Sequence, residues 1–267
     1  MTNPSWSRLV ELYQRGMLRL VTGNILEHPD LTETPEFREA AWHLVDNMVR
    51  EVAQVNATSW RAAAMKSSHA RQIFQALQAE IARNGLGPEL AAIARRNAGL
   101  ISSLPGEIAE RVSARAAELE QHGARAEEIA REIRRLGPEL TRGRVKLIAR
   151  TEISKAETQL TVIRSERIGI TWGQWLTSED QRVRPSHRNL DKVLIQWNDP
   201  PQPEALIGEK STLGRGLAGT FPNCRCLMAP VADLDEIRFP ARVYMNGSIH
   251  KLTRAEFTRA IGIRLAA

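Results

Sequence analysis

Cys224 and Cys226, with Arg225 between them, and the pair His187 and Asp191 are the residues of this chain whose types and spacing best suit chemistry. On a strand, Cys224 and Cys226 project to one face while Arg225 projects to the other. On a helix, His187 and Asp191, four apart, share a face. Two thiolates, an imidazole and a carboxylate form a plausible tetrahedral ligand set for a structural zinc ion. The same cysteines also read as small side chains that pack or hydrogen-bond, or as redox-active thiols. A third chemistry uses His187 as base or ligand, Asp180 and Asp191 as carboxylates and nearby arginines as phosphate clamps, the parts of a metal-dependent nuclease. No known nuclease signature accompanies them. The stretch Gly208-Glu209-Lys210-Ser211 lacks the glycine spacing and preceding strand of a phosphate loop and is set aside.

These residues lie in an ordered series that begins with Ala149-Arg150-Thr151-Glu152. Trp172 follows, then Asp180, Arg182, Val183, Arg184 and His187, and the series closes with Asn223-Cys224-Arg225-Cys226. Glu152 is read either as half of a surface pair with Arg150 or as a buried carboxylate turned to Arg182, Arg184 or Arg225. A buried carboxylate needs a cationic or multi-donor partner, which favours the second reading. Trp172 and Trp175, three apart on a strand, face opposite sides, as core or as interface anchors.

This series resembles the phage Mu F-like minor head proteins, also called phage head-morphogenesis proteins, over about residues 140–230. Their shared domain carries an Ala-Arg-Thr-Glu helix, a Trp, an Asp-x-Arg-Val-Arg-x-x-His segment and a terminal Asn-Cys-Arg-Cys. Arg184 and Phe221 stand about where several members have further Cys or His residues. The resemblance implies a minor capsid protein that acts in head assembly with the portal and with major capsid or scaffolding protein. It further implies a place in the virion, inside the capsid, contact with double-stranded DNA during packaging or ejection, and a homo-oligomer as one state. Glu152, Trp172, Asp180, Arg182, Arg184, Asn223 and Arg225, with the His/Cys group, would then form a structural cluster rather than a catalytic one. The alternatives are the nuclease and a plain DNA-binding module.

Helices dominate the elements that must position this series. Apolar residues at three- and four-residue steps predict a helix over 6–20 and a loop over 24–33. Thr34-Pro35-Glu36 is a helix start, and a second helix runs towards Arg83 through Met65, Ile73, Phe74, Leu77 and Ile81, with a break near 56–59. Gly-Pro-Glu-Leu occurs at 87–90 and again at 137–140, and both read as a glycine stop followed by a proline start. Further helices are expected over 88–100, 105–121, 124–136 and 139–167. The period then changes to that of strands, over 171–176, 182–184, 193–197, 225–228, 242–245 and 248–250, with a short helix at 185–190. Asn246-Gly247 signals a hairpin, and Thr253 with Glu256 forms a capping box. The Pro/Gly-rich stretch 198–220 reads as a long mobile loop. The expected fold is therefore α+β, mostly α: an elongated N-terminal helical bundle or arm (1–138), a small α+β domain (139–235), and a C-terminal hairpin and helix (236–267).

The chain of 267 residues is 42% hydrophobic with only 5% aromatics, enough apolar content for a core and weighted towards helix formers. Thirty-seven basic residues against 31 acidic leave a net charge of +6, which serves an anionic partner only where it is segregated. Arg134, Arg135, Arg142, Arg144, Lys146 and Arg150 form the best candidate for a DNA-facing stripe, because few acids interrupt them. The alternative is a solvated helix face laced with glutamates. Two cysteines one residue apart do not make a disulfide framework, and with no leader pattern at the start a reducing cytoplasm is the expected compartment. No apolar run approaches the roughly 18 residues needed to cross a bilayer, so no membrane partner is expected.

Overall fold

The computed structural model describes residues 4–27, 34–64, 75, 78 and 86–261. Among the described residues, five long helices come first: α1 (Pro4–Glu27), α2 (Pro35–Ala64), α3 (Gly87–Ser102), α4 (Leu104–Gln121) and α5 (Ala126–Arg167). Then follow β1 (Trp172–Leu176), the short α6 (Pro185–Asn189), β2 (Leu194–Gln196), β3 (Leu227–Pro230), β4 (Ala241–Met245), β5 (Ser248–Leu252) and α7 (Arg254–Ala260). A helical N-terminal region followed by an α+β domain is the fold class expected. The chain divides into two compact units, one holding 3–52 and 86–153, the other 53–85 and 154–267 with the first two residues. Helices α2 and α5 each contribute residues to both.

In the helical unit, Leu9, Tyr13, Met17 and Val21 of α1 and Phe37, Ala41, Val45, Met48 and Val52 of α2 are buried at three- and four-residue steps. Ile93 and Ile101 of α3, Leu104 and Ile108 of α4 and Val145, Ile148 and Ala149 of α5 join them. Helix α2 starts at the expected signal, with the Thr34 hydroxyl accepting from the Phe37 N–H at 3.1 Å. The predicted extension of this helix to Arg83 lies outside the described residues, as do 28–33 of the first loop, while residues 24–27 of that loop continue α1.

Two predicted joints are absent. No break occurs at 56–59; the helix is continuous there, and Thr58 and Ser59 donate their hydroxyls to the carbonyls of Gln54 and Val55 in the preceding turn, at 3.0 and 3.1 Å, rather than capping a new helix start. Nor does Gly137-Pro138 divide 124–136 from 139–167, since α5 runs straight through with Pro138 inside it. Proline removes one amide donor and crowds the preceding turn. Here Arg135 spans the weak point, bonding Glu132 on one side and Glu139 on the other at 2.8 Å each. The same Gly-Pro-Glu-Leu at 87–90 does open a helix, with Pro88 in its first turn. Neither Gly87 nor Gly137 is left-handed.

The five-stranded sheet of the other unit has the order β3-β1-β2-β4-β5. Only β2 and β4 pair in parallel; β1 with β2, β1 with β3 and β4 with β5 are antiparallel. Period-2 burial gives the sheet two apolar faces. Trp175, Ile195, Trp197, Met228 and Tyr244 pack on one face together with Leu190, Leu217, Phe221 and the two cysteines, against which Val162 of α5 also rests. Trp172, Leu194, Ala241 and Val243 pack on the other against Phe257 of α7. Trp172 and Trp175 are thus both core residues on opposite sides. The predicted strand at 182–184 is a turn, and the strand predicted at 225–228 begins at Leu227 and runs to Pro230.

Asn246 and Gly247 both have positive φ, 53° and 80°, and reverse the chain between Met245 and Ser248 as a two-residue hairpin requires. Thr253 and Glu256 complete the predicted capping box of α7. The stretch 198–220 is not a free loop. A short 3-10 turn at Ala205–Ile207, the buried Pro201, Pro203 and Glu204, and the core residues Leu217 and Ala218 hold it down.

Candidate functional site: a buried His/Cys cluster tied by arginine

The cluster is built where α6 and the turn before β3 meet over the sheet. Proline at the first position of α6 fixes the helix start, which places His187 one turn in and 2% exposed. Its ring lies between Trp175 and Phe221, at centroid distances of 5.2 and 5.1 Å, both edge-on. Nδ1 lies 3.5 Å from Cys224 Sγ and 3.7 Å from Cys226 Sγ. Both thiols are free and buried. The opposite ring nitrogen, Nε2, is buried without a hydrogen-bond partner.

The turn carrying the cysteines is shaped by its own residues. Asn223 adopts φ 55°, a left-handed conformation that asparagine tolerates better than most residues, and the Cys224 N–H closes the turn onto the Phe221 carbonyl at 3.0 Å. The two cysteines are not on the strand as predicted, yet the turn brings both sulfurs to one histidine nitrogen. Gly219 donates its N–H to Cys224 Sγ at 3.4 Å. It sits at φ 85°, and a Cβ there would lie 2.5 Å from the Thr158 hydroxyl. Helix α5 closes over the turn, with Thr158 donating to the Ala218 carbonyl at 2.7 Å and Ser154 to the Cys224 carbonyl at 3.4 Å.

Electrostatically the hydrogen bond between the two thiols pushes them in opposite directions. The hydrogen bond from Cys226, followed by contact with His187 and the Gly219 amide, holds the Cys224 thiol far below its ordinary range. The same bond and burial drive Cys226 upward. Burial of a lone thiolate is costly, and the donors that converge on Cys224 Sγ offset part of that cost.

Two further ties bind the 180–187 segment to the 222–226 turn. Arg225 grips both carboxylate oxygens of Asp180 in a bidentate pair, and Arg184 donates to the Pro222 carbonyl at 2.8 Å. With the backbone N–H of Arg182 as a second donor at 2.9 Å, the Arg225 bond holds the Asp180 carboxyl down at about 2. The Arg182 side chain itself is exposed.

One sequence expectation is corrected here. Asp191 does not share a helix face with His187, because α6 ends at Asn189. Its Oδ1 instead accepts from the Thr177 N–H and hydroxyl at 2.9 and 2.8 Å, and it stands outside the converging His187–Cys224–Cys226 group. Glu152, buried at 2%, faces Arg96 of α3 at 3.8 Å. Helical periodicity could rank neither partner, since both choices are long-range.

A second polar group escaped the sequence reading. Asn56 donates to the Thr161 hydroxyl at 2.9 Å and accepts from Arg164, an interior network joining α2 to the end of α5. Its only sequence signal was an asparagine, an arginine and threonines on otherwise apolar helix faces.

The basic residues of α5 divide in two. Arg135 is bonded to Glu132 and Glu139, and Arg144 to Glu107 at 2.9 Å. Arg134, Arg142, Lys146 and Arg150 are exposed and carry no ion pair among the described residues. The last three stand at i, i+4 and i+8, on one helix face.

The comparisons with known proteins meet at this part of the chain. Residues 110–229 match the phage Mu protein F like protein family. An uncharacterized protein of Haemophilus influenzae is 30% identical over 145 residues, 54% of this chain and 30% of that protein. An uncharacterized protein of Methanocaldococcus jannaschii is 30% identical over 113 residues, 42% of this chain and 16% of that protein. This chain therefore spans under a third of the length of either relative. No solved structure matches it. The matched stretch contains the whole of the Asp180–Arg225, Arg184–Pro222 and His187–Cys224–Cys226 interlock, so this part of the chain is similar to the phage Mu protein F like family.

Proposed function

We propose that the protein is a minor head protein that acts in phage capsid assembly. It associates with the portal, and the exposed stripe of α5 contacts packaged DNA. The family match over 110–229 carries this reading. Two structural features support it. Asp180, Arg184, His187, Cys224, Arg225 and Cys226 spend their side chains within the interlock, as scaffold, and Arg134, Arg142, Lys146 and Arg150, without an ion pair among the described residues, project outward where a polyanion can reach them. Phosphate contacts of this kind position a protein on DNA without reading its sequence. The partners are portal protein, major capsid or scaffolding protein and double-stranded DNA, and the location is inside the capsid.

The nuclease reading draws no support from the geometry. His187, Cys224 and Cys226 are 2–6% exposed, and a scissile phosphodiester cannot approach a group so covered.

The test combines co-purification with gel retardation. The tagged chain is co-expressed with a phage portal protein, and the purified chain is mixed with duplex DNA with and without magnesium or zinc. Co-purification with portal, and retardation that weakens with salt without cleavage, is the expected result. Metal-dependent cleavage abolished by His187→Ala would replace this reading with the enzyme. Absence of both portal and DNA binding would remove it.

A further inference from the structure

We propose that His187 Nδ1, Cys224 Sγ and Cys226 Sγ are the three protein ligands of a structural zinc ion whose fourth position takes a neutral donor such as water.

The first support is metric. With zinc–sulfur bonds near 2.3 Å and zinc–nitrogen bonds near 2.05 Å, the N···S edge of a tetrahedral site is roughly 3.6 Å. The two N···S separations here are 3.5 and 3.7 Å. All three ligand atoms lie within 4.8 Å of one another, so they converge closely enough to share one ion.

The second support is the donor set. Two thiolates and an imidazole are soft and borderline ligands that suit zinc over magnesium or calcium. Binding displaces the thiol protons to solvent, and two thiolates then cancel a divalent charge, leaving a neutral complex that can be buried at low cost. A carboxylate in the fourth position would make the site anionic. Asp191, the nearest candidate by sequence, is instead bonded to Thr177. The Gly219 N–H that points at Cys224 Sγ supplies a donor that a metal-bound thiolate accepts well.

The site departs from common practice at one point. Histidine ligands usually donate their other N–H to an acceptor, whereas Nε2 of His187 has none. Trp175 and Phe221 clamp the ring edge-on and fix its orientation by packing. Because the ligands are 2–6% exposed, the ion enters as the domain folds. It then bolts α6 to the turn before β3 alongside the Asp180–Arg225 pair.

The test uses the full chain expressed in zinc-supplemented medium under reducing conditions. Elemental analysis is expected to find about one zinc per chain. Refolding with cobalt(II) should give the visible bands of a tetrahedral site and a thiolate-to-cobalt charge-transfer band, both lost on adding zinc. Cys224→Ser and Cys226→Ser should each weaken the charge-transfer band, and Asp191→Asn should leave the spectrum unchanged. A stoichiometric chelator should lower the melting temperature of the wild-type chain. Wild-type protein that is folded and reduced yet retains no zinc and shows no charge-transfer band with cobalt overturns the proposal. So does a Cys224–Cys226 disulfide seen as the native form by mass. Loss of the cobalt spectrum in Asp191→Asn would overturn the three-ligand assignment. Each readout is independent of portal or DNA binding, so failure here leaves the head-protein reading standing, and the converse holds.

Discussion

At the residue scale, carboxyl groups with shifted acidities set how this protein answers to pH. Burial raises the Glu157 carboxyl to about 7, against the opposing hydrogen bond from Thr161. A raised carboxyl favours its protonated form in the folded chain, so its contribution to stability is fully present below the unfolded value near 4.3 and is lost as pH rises through about 7. Glu157→Gln should therefore raise the urea midpoint at pH 8 while leaving it almost unchanged at pH 4.5. Equal shifts at both values would show that the carboxyl is not perturbed. The Asp180 carboxyl runs the opposite way. Held down by Arg225, it supports the fold above pH 4 and withdraws that support only as pH falls towards 2.

At the element scale, two backbone positions decide whether a strand and a helix hold. Gly173 of β1 pairs with Ile195, and a Cβ there would lie 1.8 Å from the Trp197 ring. The ring cannot retreat easily, because its indole N–H is bonded to the Ile170 carbonyl at 2.8 Å. Gly173→Ala should destabilise by about 3 kcal/mol, as overpacking of a core does. A loss below about 0.5 kcal/mol in equilibrium denaturation, the range of neutral surface changes, would mean the sheet absorbs the methyl. In α5 the opposite sign is expected. Pro138→Ala restores an amide donor within a helix that is already continuous, and should stabilise by about 1–3 kcal/mol. A lowered thermal midpoint would show that the proline is better accommodated than alanine.

At the scale of the whole molecule, segregation decides what the net charge of +6 can do. Arg135 and Arg144 are taken up by glutamates, while Arg142, Lys146 and Arg150 remain on one open face. If that face meets DNA, replacing all three with Gln should reduce the slope of log affinity against log salt by roughly 2–3, about 0.9 for each lost phosphate contact. An unchanged slope would place DNA elsewhere on the protein. Among the described residues no helix is long and apolar enough to cross a membrane.

Local chemistry was legible in the residue order alone: the Thr34 cap, the Asn246-Gly247 hairpin, the Thr253–Glu256 box and the alternation that sets Trp172 and Trp175 on opposite faces. Each depends on neighbours within a few positions, where backbone geometry is nearly the same in any fold. The family pattern likewise marked His187, Cys224 and Cys226 as a group. Their meeting, the exclusion of Asp191 from it and the partner of Glu152 were decided only by tertiary structure. A carboxylate accepts whichever donor the fold brings near, and for Asp191 and Glu152 those were Thr177 and Arg96. The same holds for the second Gly-Pro-Glu-Leu. Its propensity to stop a helix is worth a few kcal/mol, and the surrounding packing and ion pairs of α5 outweighed it.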